Sequence, residues 1–152
     1  MQELRDLYQE VILDHSKKPR NFRELDGATH HAQGYNPLCG DRFTVFLKLD
    51  DDVIRDVSFK GAGCAISTAS ASMMTDSIKG KSRREAEAIF AAFHELVTGK
   101  RSGTGTGDAA ELGKLSVFAG VLDFPVRVKC ATLAWHTLHA ALEKKEEAVS
   151  TE

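Results

Sequence analysis

The chain has 152 residues, 42% of them hydrophobic and 28% charged, with a formal net charge of -2. That is enough apolar material for one continuous core without disulfide help, and the balanced charge leaves no basic field for a nucleic-acid backbone, which excludes nucleic acid as a partner. No apolar run approaches the ~20 residues that a bilayer span needs, and Met1, Gln2, Glu3 and Leu4 do not begin a signal peptide, so a soluble cytoplasmic protein without membrane contact is expected.

In chain order, Leu4, Leu7, Tyr8, Val11 and Ile12 recur at helical spacing and predict an amphipathic helix that ends at Lys17-Lys18, ahead of Pro19. Over 42–50 the pattern changes to alternation, with Phe43, Val45, Leu47 and Leu49 on one face. A second β-rich run over 53–60 follows the acidic turn Asp50-Asp51-Asp52, so the two read as an antiparallel hairpin, and 29–33 offers a third strand. A helix of small residues is predicted over 65–79, with Gly80 as its stop. Ser82 and Glu85 form a capping box for a further helix whose apolar face is Ala86, Ile89, Phe90, Phe93 and Val97. Gly103, Gly105 and Gly107 compose a flexible loop over 100–108, which lacks the preceding strand and the G-K-[ST] ending of a phosphate loop. The stretch 109–122 reads as weakly helical. A last helix is predicted over 127–145, with Pro125 just upstream as its start signal and Val128, Ala131, Leu138, Ala141 and Leu142 toward the core. Strands followed by a run of helices predict an α+β fold, a small antiparallel sheet of about three strands with helices packed on one face. One domain over 1–152 is expected, with 146–152 as a frayed tail.

Cys39, Cys64 and Cys130 cannot all pair with one another, and a reducing cytosol disfavours structural disulfides, so metal or thiol chemistry is the better reading. Cys39 and Asp41 lie two residues apart on a tight loop before a strand. Cys64 opens the small-residue helix and Cys130 falls in the first turn of the last one, positions at which the helix dipole and unpaired N–H groups favour the thiolate. Three thiolates and one carboxylate give the four donors that tetrahedral zinc takes, and soft sulfur selects zinc or iron-sulfur species over magnesium or calcium. Structural zinc sites are normally closed by Cys or His alone, so the lone carboxylate of Asp41 points to a site that opens or exchanges a ligand.

Three segments carry a resemblance: Asn36-Pro-Leu-Cys-Gly-Asp41, Gly61-Ala-Gly-Cys-Ala-Ile-Ser67 followed by Ala69-Ser-Ala-Ser72, and Lys129-Cys-Ala-Thr-Leu-Ala-Trp135. In this order they resemble the IscU/SufU family of iron-sulfur cluster assembly proteins, and within it the SufU-type zinc-dependent sulfurtransferases. Scaffolds of the IscU type carry a histidine directly before the third cysteine, where this chain has Lys129, and the stretch from Gly103 to Phe124 is extended. The resemblance implies that Cys39, Asp41, Cys64 and Cys130 hold zinc, and that a SufS-type cysteine desulfurase delivers persulfide sulfur for onward passage to downstream SUF assembly proteins. It further implies that docking frees one zinc-bound cysteine to accept the sulfur. Cys39, on a glycine-flanked loop, is the candidate acceptor. The same four residues serve the alternative, a scaffold holding iron or a [2Fe-2S] cluster. Arg127 and Lys129 are candidates to modulate a site whose donors outweigh the metal's charge by two. His30 and His31 read as a surface strand pair, and His136 and His139 as structural.

Overall fold

The computed structural model describes residues 2–37, 40–99, 112–143 and 149–150. Helix α1, Gln2–Lys17, gives way at Pro19, which supplies no N–H to continue it. Val11 and Ile12 on its apolar side pack partly buried against the core. The segment after it runs along the strand Val53–Ala62, with Arg23 N–H donating to Phe59 O (3.0 Å) and Phe59 N–H to Asn21 O (3.0 Å), and so closes that edge of the sheet.

Strands β1 (His30–Asn36), β2 (Asp41–Asp50) and β3 (Val53–Ala62) pair antiparallel, as the alternation predicts. The β2–β3 turn places Asp51 at φ 49° and Asp52 at φ 66°. Positive φ at both central residues is the turn whose twist matches a hairpin, and aspartate tolerates it. Phe43, Val45 and Leu47 are buried toward the helices; a register shift at Lys48/Leu49 leaves Leu49 only partly so. Two differences from expectation concern β1. It runs to Asn36 rather than stopping at Gln33, because Gly34, Tyr35 and Asn36 continue the pairing with Phe43, Arg42 and Asp41, and a Cβ on Gly34 would run into Thr137 Oγ1 and lie 3.2 Å from Leu133 Cδ1. Its outer edge also takes a two-residue parallel strand, β4 (Val149–Ser150), opposite Gly34 and Tyr35, within the stretch expected to fray.

Helix α2 (Ala65–Ile78) buries Ala69, Ser70, Ala71, Ser72, Met73 and Met74 in succession, so it is wrapped on all sides, by α1, β3 and the last helix, Pro125–Leu142. Helix α3 (Arg83–Thr98) has the predicted capping box, Glu85 N–H to Ser82 Oγ and Ser82 N–H to Glu85 Oε1, both 3.1 Å, and ends on Gly99 at φ 71°. Instead of a weak α-helix, Gly113–Asp123 forms a 3-10 helix. Leu112 at its N-cap and Leu115, Phe118 and Val121 within it are buried at every third position, the repeat of a 3-10 turn, with Val117 buried beside them, and the segment packs on α3 and the last helix. Helix α4 (Pro125–Leu142) starts two residues earlier than predicted because Pro125 itself occupies its first turn. Cys130 therefore sits in the second turn, and the expected benefit of a helix N-terminus does not apply to it. The glycine run 103–107 lies outside the described residues. No helix among the described residues is long and apolar enough to cross a membrane.

Candidate metal centre

The end of β1, the start of β2, the first residues of α2 and the second turn of α4 meet at one end of the sheet. Asn36 and Asp41 are register partners across the β1–β2 turn, and Gly40 reverses the chain at φ 70°, which glycine adopts without a Cβ clash. Leu38 and Cys39 of that turn lie outside the described residues.

Asp41 is 1% exposed, an unusual place for a carboxylate without compensating partners. Its Oδ1 accepts the Cys64 N–H at 2.8 Å, which leaves Oδ2 3.9 Å from Cys64 Sγ. Cys64 is the N-cap of α2, and its sulfur accepts the Ser67 N–H at 3.5 Å, the role a serine or aspartate oxygen usually fills. Ser67 Oγ lies 3.5 Å from the same sulfur and 3.1 Å from Cys64 O. The approach is possible because Gly63 has no side chain: a Cβ there would lie 2.5 Å from Ser67 Oγ, 2.7 Å from Asp41 Oδ1 and 2.9 Å from Phe43 Cε2. Gly61, at φ 136°, likewise lets β3 close on the backbone of Arg42 and Phe43.

Cys130 is fully buried, with Asn36 Nδ2 3.9 Å from its sulfur. Its helix is locked to α2 by Ser70, whose hydroxyl donates to Ala131 O at 2.5 Å and accepts the Trp135 Nε1–H at 3.1 Å. Trp135 in turn stacks on Phe93 with centroids 4.8 Å apart, so the separation of the two thiol-bearing helices is set by the core itself.

One donor atom each from Asp41, Cys64 and Cys130 all lie within 4.8 Å of one another. Zinc–sulfur and zinc–oxygen bonds of about 2.3 and 2.0 Å place tetrahedral donors roughly 3.5–3.8 Å apart, close to the 3.9 Å between Cys64 Sγ and Asp41 Oδ2. The residues present therefore fit a small thiophilic cation, which would also compensate the buried carboxylate. Of the other candidates, Lys129 directly precedes Cys130 and is half-buried, whereas Arg127 is exposed. His31 is exposed beside Phe46 and His30 bonds Thr29, as surface strand residues do. His136 and His139 pack around the Phe90 ring, away from the three donors. Sequence reasoning missed roles for Asn36 and Ser67. A serine three positions after a helix-opening cysteine was a capping signal in plain view, whereas the pairing of Asn36 with a residue 94 positions away was not.

Residues 7–131 match the model of the NifU-like N terminal domain. The chain is 44% identical to the iron-sulfur cluster assembly scaffold protein IscU of Streptococcus pyogenes serotype M1, over 97% of this chain and 90% of that protein. It is 43% identical to the zinc-dependent sulfurtransferase SufU of Bacillus subtilis (strain 168), covering 92% of each. A crystal structure of a candidate iron-sulfur cluster assembly scaffold protein for the SUF system, from Fervidobacterium islandicum AW-1, superimposes with a TM-score of 0.81 at 38% identity, over 88% of this chain and 94% of that one. The fold, the clustered donors and these likenesses agree, and the chain belongs to the NifU-like N-terminal domain family, among the IscU and SufU proteins of iron-sulfur cluster assembly.

Proposed function

We propose that this protein is a zinc-dependent sulfurtransferase that accepts persulfide sulfur from a SufS-type cysteine desulfurase and passes it to downstream SUF assembly proteins. The observation that carries the reading is the buried group of Asp41, Cys64 and Cys130, which needs one more donor for a tetrahedral set. Cys39, two residues before Asp41, is assigned as that donor and as the sulfur acceptor. Bound zinc would keep the thiols deprotonated and protect them from oxidation. The Cys39 thiolate, once released, attacks the terminal sulfur of the desulfurase persulfide. The S–S bond of that persulfide breaks, its electron pair leaves on the desulfurase thiolate, and the transferred sulfur remains on Cys39 as a persulfide. The resemblance puts a histidine before the third cysteine of IscU-type scaffolds, and Lys129 in that place favours zinc relay over cluster building. Lys129 and Arg127 are assigned a supporting part, offsetting the excess negative charge of the donors. The reaction is placed in the reducing cytoplasm, where thiols stay unpaired.

A second reading, a scaffold that assembles and transfers a [2Fe-2S] cluster on the same residues, is favoured by the name of the S. pyogenes relative. A zinc assay combined with desulfurase turnover, on the wild type and Cys39→Ala, separates the two. About one zinc per chain with turnover enhancement that Cys39→Ala abolishes is the expected result. Brown protein with a stable cluster and no effect on turnover would replace the sulfurtransferase with the scaffold.

A further inference from the structure

A cavity of about 840 Å³ opens between α1, α2, α3 and the start of the 3-10 helix. Met73 on its wall follows Cys64 by nine residues, about 14 Å along α2 at 1.5 Å per residue, so the cavity lies apart from the metal centre. Its volume suits a small organic molecule. The lining divides by polarity: Met73, Ile89 and Leu112 are buried and form an apolar floor, whereas Lys81, Arg84 and Lys114 stand exposed around the rim. None of these three cations has an ion-pair partner among the described residues. Two carboxylates also line the cavity, and both are engaged. Glu85 Oε1 accepts the Ser82 N–H of the capping box, and Asp76 Oδ1 accepts from Asn21 Nδ2 at 3.4 Å.

The buried end holds a donor. His15 lines the cavity at 5% exposure, with Nδ1 2.7 Å from Ser72 Oγ. That oxygen already accepts the Arg20 N–H at 2.8 Å, so its own hydrogen goes to Nδ1 and the ring proton is left on Nε2. Nε2 bonds none of the described residues, yet it is not sealed in the core, and the cavity is where it meets solvent. Lys114 is near enough for its charge to act on the ring.

We propose that this cavity binds a small organic anion, its carboxylate or phosphate group held by the His15 Nε2–H with Lys81, Arg84 and Lys114, and its apolar body resting on Met73, Ile89 and Leu112. The unpaired cations select an anion, the open Nε2–H selects an acceptor oxygen, and the apolar floor selects a body that a bare ion lacks. The site shares no residue with the metal centre and stands under either function proposed above.

The test is isothermal titration calorimetry of the full-length protein as purified, with octyl phosphate, octanoate and octylamine, each below its micellar concentration, and with inorganic phosphate. One or both octyl anions should bind at about one per chain, and the tighter of them identifies the head group. Octylamine and inorganic phosphate should bind at least roughly tenfold more weakly, the loss of one charge-assisted bond or of the apolar body. Arg84→Glu and Lys114→Glu, at exposed positions, should each weaken the anion by a similar factor, and Ala88→Trp, which fills the cavity from its exposed wall, should abolish binding. Zinc content and desulfurase turnover should stay at wild-type values in all three. In NMR spectra the His15 Hε1 signal, identified by its loss in His15→Gln, should move on saturation; should that variant fail to fold, the three surface variants decide alone. No binding of either anion, equal affinity for octylamine or inorganic phosphate, or binding that Ala88→Trp and the charge reversals leave unchanged overturns the proposal, and none of these results bears on the zinc assay.

Discussion

Asparagine in place of Asp41 should change stability in opposite directions with and without metal. Asp41→Asn preserves the side-chain outline: its Oδ1 still accepts the Cys64 N–H, now at 2.8 Å, and its amide nitrogen takes the Oδ2 position 3.9 Å from Cys64 Sγ. In the metal-free protein, a carboxylate at 1% exposure beside two cysteine sulfurs costs several kcal/mol of desolvation, of which one charge-assisted hydrogen bond returns about 1.5–3 kcal/mol. Neutralising it should therefore stabilise the chelator-treated protein by ~1–2 kcal/mol, a Tm rise of about 2–8 °C for a chain of this size. With zinc the sign reverses, since losing an anionic ligand that weakens binding a hundredfold removes about 2.7 kcal/mol of ligand-linked stability. Differential scanning calorimetry in EDTA and in excess zinc reads both. If Asp41→Asn lowers Tm equally in the two conditions, Asp41 is a structural hydrogen-bond acceptor and the metal assignment fails.

Other perturbations test how the fold holds the site. Gly34→Ala drives a methyl into Thr137 Oγ1 and Leu133 Cδ1, so α4 must shift from β1 at a cost of ~1–3 kcal/mol, seen as a lower urea midpoint with an unchanged slope. Ser70→Ala strands the Trp135 Nε1–H in the core at about 1–3 kcal/mol. Because Trp135 is the chain's single tryptophan, its emission reports the change directly, and an unaltered spectrum and midpoint would refute the bridge. His15 is 5% exposed with Nδ1 2.7 Å from Ser72 Oγ, and burial, then the charge of Arg20, holds its pKa below the ordinary 6.5. His136 is lowered too, by burial and then by His94 and His139. The unfolded chain then binds more protons, so the stability contributed is full above pH 6.5 and is lost as pH falls through that value toward the folded pKa values. Unfolding free energies of the metal-free protein should decline across this window, and less steeply in His15→Gln; equal slopes would count against the assignment to His15.

Local chemistry made much of the fold readable. The alternation ahead of three aspartates carried the hairpin, and Ser82 with Glu85 carried the start of α3, because each signal is complete within a few residues. The length of β1 was not readable for the opposite reason. Nothing local carries the strand past Gln33, whereas in the fold the missing side chain of Gly34 makes room for Thr137, a residue on another element. The Leu112, Leu115, Phe118 and Val121 repeat was visible at period three, but a 3-10 helix this long is uncommon enough that weak α-helix was the default reading. Strand β4 exists only through its pairing with Gly34 and Tyr35, and nothing local in Val149-Ser150 announces it. At the site, the reactive residue types were legible from the motifs. The groups that orient them were not, because Asn36 and Ser70 act on residues 94 and 61 positions away.

The burial of the donors bears on how the proposed sulfur relay would work. Cys130 and Asp41 are sealed in the core, and Cys130 rides on a helix tied to α2 through Ser70 and Trp135, so Cys130 does not leave its place without unpacking α4. Among the described donors only Cys64 is partly exposed. It is also the one held by its own helix, through the Ser67 N–H. Ligand exchange at low cost then requires a donor on a short connection rather than on a helix, since moving a turn disturbs few packed contacts while moving α2 or α4 disturbs the core. The proposed acceptor Cys39 stands in the sequence between Asn36 and Asp41, the ends of β1 and β2, which is the position along the chain that the proposed relay calls for.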